Sequence, residues 1–108
     1  GRFYLELPQG WTMRRVQETN LRENLYRVQS KSGKTLRDYL KGFQMDIGQM
    51  TRFFGTPGTV PTQRMIEKLS RATELPEVVV LLRFWPELAQ QIDVRESQSP
   101  SRSHRRTG

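Results

Sequence analysis

Eight cations crowd into residues 14–41: Arg14, Arg15, Arg22, Arg27, Lys31, Lys34, Arg37 and Lys41. Between residues 12 and 41 only Glu18, Glu23 and Asp38 oppose them. A guanidinium fork reaches two acceptors at once, on a phosphate or on a guanine edge, so this density fits recognition of a nucleic acid. The plainer reading is a solvated face that keeps the chain in solution. Catalytic chemistry has less to stand on. His104 is the sole histidine and there is no cysteine, which removes triad chemistry and the familiar zinc sites. The "GTPG" of residues 55–58 lacks the Gly-Lys-Ser/Thr that completes a phosphate loop. A non-enzymatic chain with no cofactor, no metal and no small-molecule substrate is expected.

These cations are unevenly spread. The chain has 108 residues and a formal net charge of +7, with 34% of residues hydrophobic. That is about one small domain with a modest core. Residues 1–55 hold ten Lys/Arg against five Asp/Glu; residues 56–94 hold four against five; residues 95–108 hold four against one. The split predicts a basic binding module over 1–55, a helical appendage or interaction segment over 56–94, and a disordered Arg/Ser tail over 95–108. The longest apolar run, Val78 to Leu82, is too short to span a bilayer, so no membrane partner is expected. A soluble, intracellular and nuclear chain is the expectation.

The elements that must carry the cations are read from periodicity. "RFYLEL" alternates like a strand and is closed by Pro8 and Gly10. "WTMRRVQ" reads as a second strand, "ETNLRE" as a loop, and "NLYRVQS" as a third β-rich run before a tight turn at Gly33. A short strand through Thr35 to Arg37 would close the sheet. The period then changes: Leu36, Leu40, Phe43, Ile47, Met50 and Phe54 form one helical stripe. Asp46 followed by Gln49 looks like a capping box that starts a fresh helix at Ile47, with a stop at Gly55. Pro61, Pro76 and Pro86 each suit the start of a further helix. Met65, Ile66, Leu69 and Ala72 supply one apolar face, and residues 77–85 are the central buried piece. The expected fold is therefore α+β: a small three-stranded antiparallel sheet with a helix, then a short helical segment.

At the basic strands the chain resembles the methyl-CpG-binding domain. Leu7, Pro8, Gly10 and Trp11 are similar to that family's opening. Tyr26, Ser30, Gly33, Lys34, Leu36 and Arg37 are similar to its returning strand and turn. The resemblance covers about residues 7–37, at most to 54. It implies that Trp11 and Tyr26 are structural anchors and that Arg37 meets a guanine edge. Glu18 stands where the family's first reading arginine would be, which implies weak methyl-CpG selectivity.

The leading expectation is thus a DNA-binding (or RNA-binding) module of a chromatin or transcription-related protein. The nucleic acid would be held by Arg14, Arg15, Arg22, Arg27, Lys31, Lys34 and Arg37. A rival is a protein-interaction domain that binds an acidic partner or docks a partner helix through residues 61–94. A third reading, an all-helical repressor-like domain, is weakened because Arg14 to Gln29 shows no convincing helical stripe.

Overall fold

Capping side chains, not β propensity, decide the first half of the molecule. The computed structural model of the chain describes residues 4–55, 59 and 61–97. Thr12, Asn20 and Thr35 each turn a side-chain oxygen onto the backbone N–H three residues on, at 3.0, 3.0 and 3.2 Å. Each starts a helix: α1 (Met13–Glu18), α2 (Leu21–Ser32) and α3 (Leu36–Lys41). The three-stranded antiparallel sheet expected here does not form. Seven helices and one two-stranded parallel sheet make up the described residues. "NLYRVQS" is helical because the buried side chains of α2, Leu21, Leu25 and Val28, recur at helical spacing, whereas "WTMRRVQ" enters α1 at Met13 behind the Thr12 cap and buries only Val16.

The strand read at the N-terminus does form, as β1 (Tyr4–Glu6), but its partner is far away in sequence. β2 (Asp93–Arg95) lies parallel to it, with Tyr4 beside Asp93, Leu5 beside Val94 and Glu6 beside Arg95. Leu7 N–H extends the ladder to Arg95 O at 2.7 Å. Arg95, expected in the disordered tail, is therefore in a strand, where it pairs with Asp93 and covers the Tyr4 ring. Residues 98–108 lie outside the described residues, as do 56–58 of the connector.

The second half follows the prolines. α4 (Ile47–Gly55) ends at the expected glycine, and α5 (Gln63–Thr73), α6 (Glu77–Phe84) and α7 (Leu88–Gln91) follow Pro61, Pro76 and Pro86 in turn. Two apolar clusters result. The larger joins α2, α3 and α4 to α5 and the inner side of α6, through Leu25, Leu40, Met50, Leu69 and Val80 among others. The smaller joins β1, α1, α6 and α7 through Leu7, Val16, Val79, Leu82 and Leu88. Trp11 and Leu81 pack against both. The division expected near residue 55 is not a boundary between cores, because α2 and α5 share the larger one. Among the described residues no helix is long and apolar enough to cross a membrane.

Tyr39 ties α3 to the far end of α5. Its buried hydroxyl donates to Ala72 O at 2.6 Å, one of the carbonyls that a helix end leaves without an intrahelical partner. Burial, and then the nearby Glu74 carboxylate, raise its pKa above the ordinary value of 10.0. Tyr39→Phe should cost about 1–2 kcal/mol in a denaturant titration, since it strands that carbonyl. The unfolded chain loses the phenol proton before the folded one does. Stability from this group is therefore intact below pH 10 and falls as pH rises past it. The Phe variant should lack that part of the alkaline loss; an unchanged alkaline profile would refute the assignment.

Candidate nucleic-acid interface

The α3–α4 junction is held at several points. Two hydrogen bonds close α3: Met45 N–H to Leu40 O at 3.0 Å and Gln44 N–H to Lys41 O at 3.0 Å. This is the Schellman pattern, with Gln44 at φ 60° in the left-handed position that glycine normally fills. Leu40 and Met45, at either end of the longer bond, are both buried in the larger cluster. Lys68 of α5 donates its ammonium to Gln44 O at 3.0 Å, bracing the turn from outside. The Asp46–Gln49 capping box then forms in both directions, at 2.8 and 3.1 Å. α3 and α4 are thus two consecutive helices joined by a locked five-residue turn, residues 42–46.

α4 leaves one side uncovered. Met50 is buried and Phe53 and Phe54 are half-buried, whereas Ile47, Gly48, Thr51 and Arg52 are exposed. Those four fall at spacings of one, three and one residues, a single helical face. α3 carries Arg37 and Lys41 one turn apart on its solvent side, and Lys31 and Lys34 flank the Gly33 turn just before it. None of these five cations, Arg52 included, forms an ion pair among the described residues.

The residues singled out from the sequence are scattered by the helical fold. Arg14 pairs with Glu18 one turn on at 3.3 Å, in full solvent. Arg15 lies over the Trp11 ring, 3.9 Å from its centre, and donates to Gly10 O at 3.1 Å. Arg22 sits 5.5 Å from the centre of the Phe54 ring. Arg27 shares a groove of about 610 Å³ with Arg15, Glu18, Glu23 and Glu74, so its surroundings are of mixed charge. Lys31, Lys34 and Arg37 lie around the α2–α3 turn, exposed and outside any ion pair among the described residues. Trp11, expected to be an anchor, is half-buried and packs against both clusters. Tyr26, expected to be another, is 45% exposed on the outer side of α2, because its strand became a helix that faces inward through Leu25 and Val28.

Sequence reasoning missed the exposed face of α4. Ile47 was assigned to the apolar stripe, yet it is 39% exposed and belongs to neither cluster. The usable signal was the capping box itself: two apolar helices separated by a fresh N-cap, with Thr51 and Arg52 opposite Met50 and Phe53.

A second concavity, about 530 Å³, opens at the other end of α4. Phe53, Phe54 and Phe84 line it, with Phe54 and Phe84 stacked at 5.8 Å and Phe53 edge-on to Phe84 at 6.2 Å. Arg22, Arg83 and Glu87 also line it. The three rings are partly buried and also pack against the larger cluster. Comparison with protein-family models, with curated proteins and with solved structures finds no match to this chain.

Proposed function

We propose that this chain is a non-enzymatic DNA-binding module of a transcription-related protein, reading duplex DNA with α4. The observation that carries the reading is the uncovered face of α4, set directly after a turn locked from three sides. In a helix-turn-helix unit the second helix lies in the major groove and the first crosses the backbone. Arg37 and Lys41 on α3 are then suited to phosphates, while Thr51 and Arg52 carry the groups that hydrogen-bond base edges. The DNA-binding expectation is kept on a different scaffold. Its methyl-CpG component relied on guanidinium groups displayed on a sheet, and that sheet is absent.

A protein-docking reading is favoured by one feature, the aromatic cleft between α4 and α6 with Arg22 and Arg83 along it. An acidic partner segment suits it. The two readings separate on α4. Thr51→Glu places a carboxylate against the groove and keeps a good helix former, so the fold should survive by circular dichroism. Its affinity for a mixed-sequence duplex, followed by fluorescence anisotropy, should drop on the order of tenfold or more. Arg14→Ala, which only breaks an exposed pair on α1, should stay within about twofold. Equal binding by Thr51→Glu and the unaltered chain would remove α4 from the interface. Failure of the unaltered chain to bind duplex at low salt would end the DNA reading.

A further inference from the structure

We infer that Ile47 and Gly48 make α4 a reader of C5-methyl groups on pyrimidines in the major groove, thymine above all. This rests on the proposed docking of α4 and says what that helix recognises there. Ile47 is one of three large hydrophobic side chains standing exposed among the described residues, with Tyr4 and Tyr26. It is 39% exposed, so a substantial apolar surface faces solvent. It is also the first residue of α4, and the N-terminal residues of a recognition helix are the ones that meet base edges. Thr51 lies one turn further along the same face and adds a second methyl group.

Gly48 supports the same conclusion by what it lacks. Its φ is not positive, so the backbone does not demand glycine, and in a helix glycine costs about 1 kcal/mol against alanine. A first side-chain carbon there would crowd no core residue, and would stand 3.2 Å from Asp46 Oδ1, a tight contact with the oxygen that caps Gln49 N–H. The core therefore does not require the gap. On the outer face, a missing side chain lets the helix backbone come close to the groove floor, within reach of a methyl group for Ile47. The acid nearest this end is Asp46, whose Oδ1 is already held by Gln49 N–H at 2.8 Å. Lys31, Lys34, Arg37 and Lys41 are exposed and form no ion pair among the described residues, so they are free to neutralise phosphates.

In the major groove the thymine methyl is the one apolar group among the base edges, and uracil differs from thymine by its loss alone. Binding to alternating poly(dA-dT) and poly(dA-dU) duplexes therefore tests the inference. Each methyl group buried should favour the thymine duplex about fourfold. Ile47→Ala should abolish most of that ratio, and Ile47→Val should keep part of it. A mixed-sequence duplex with 5-methylcytosine for cytosine carries its methyl at the same ring position and should also bind more tightly. Equal affinity of the unaltered chain for the thymine and uracil duplexes would overturn the inference while leaving DNA binding by α4 intact. A ratio unchanged by Ile47→Ala would overturn it too, as would indifference to 5-methylcytosine. Absence of binding to every duplex would instead overturn the DNA-binding reading beneath it.

Discussion

Val79→Asp should unfold the chain. Val79 is fully buried at the middle of α6, where it packs in the smaller cluster with Leu7, Val16, Leu82 and Leu88. Val79 packs there among apolar side chains, so an aspartate would place a charge in apolar surroundings, or take up a proton and remain a polar group there. Leaving a charge uncompensated in a core costs about 3–5 kcal/mol. A chain of this length has a total stability of roughly 5–15 kcal/mol, so the substitution removes a large share of it. α6 also packs against α5 and α1, so its loss releases the end of the larger cluster as well. Thermal melting followed at 222 nm should lose its cooperative transition or show it tens of degrees lower. Val78→Asp, at the half-buried neighbouring position, should be much milder. A melt of Val79→Asp within a few degrees of the unaltered chain would mean that α6 is exposed in solution. Residues 77–85 would then be a docking surface rather than core.

The same residues explain how far the sequence could be read. Helices that begin with a proline or a capping pair are legible, because the signal is local and chemical. Asp46 with Gln49, and Pro61, Pro76 and Pro86, mark α4 to α7 correctly, and Met65, Ile66, Leu69 and Ala72 are all buried as expected. Gly33 takes the left-handed φ of 75° that its turn demanded. α1 and α2 are illegible for a different reason. α1 has only six residues and buries only Val16, which is too little for a period to show. α2 restarts its stripe at Leu21 after the break at Thr19 and Asn20, so a single window across Arg14 to Gln29 sees two short patterns out of phase. Its Tyr26 and Val28 also lend it β propensity, which packing overrides.

The opening "LPQGW" was misleading because it is a turn in either fold. Trp11 N–H bonds Pro8 O at 3.0 Å, and Gly10 sits at φ 89°, the value a type II turn requires at its third residue. The turn leads into a helix, with Thr12 as its cap. The α3–α4 junction was hidden by Gln44, which occupies a glycine's position without being one. The pairing of β1 with β2 was hidden by distance, since a parallel partner at residues 93–95 leaves no local mark.

DNA binding should weaken steeply with salt, and duplex DNA should be preferred to duplex RNA. Lys31, Lys34, Arg37, Lys41 and Arg52 are exposed and unpaired around α3 and α4, and not all of them will reach a phosphate. Neutralising about four phosphates gives a log–log slope of roughly −3.6, a loss on the order of a hundredfold between about 50 and 200 mM salt. Each Lys or Arg truncated on α3 should make the slope shallower by about one and weaken all sequences alike. Arg14 and Arg15, held by Glu18 and by Trp11 with Gly10, should leave it unchanged. The RNA comparison tests the geometry and not the charge. An A-form duplex has the same phosphates, but its major groove is too deep and narrow for a helix to read. A docked α4 therefore gives DNA an advantage that persists at higher salt, whereas a diffuse basic surface treats the two duplexes alike. Equal affinity for both, with the same slope, would leave the cations as a general polyanion surface and remove α4 from the contact.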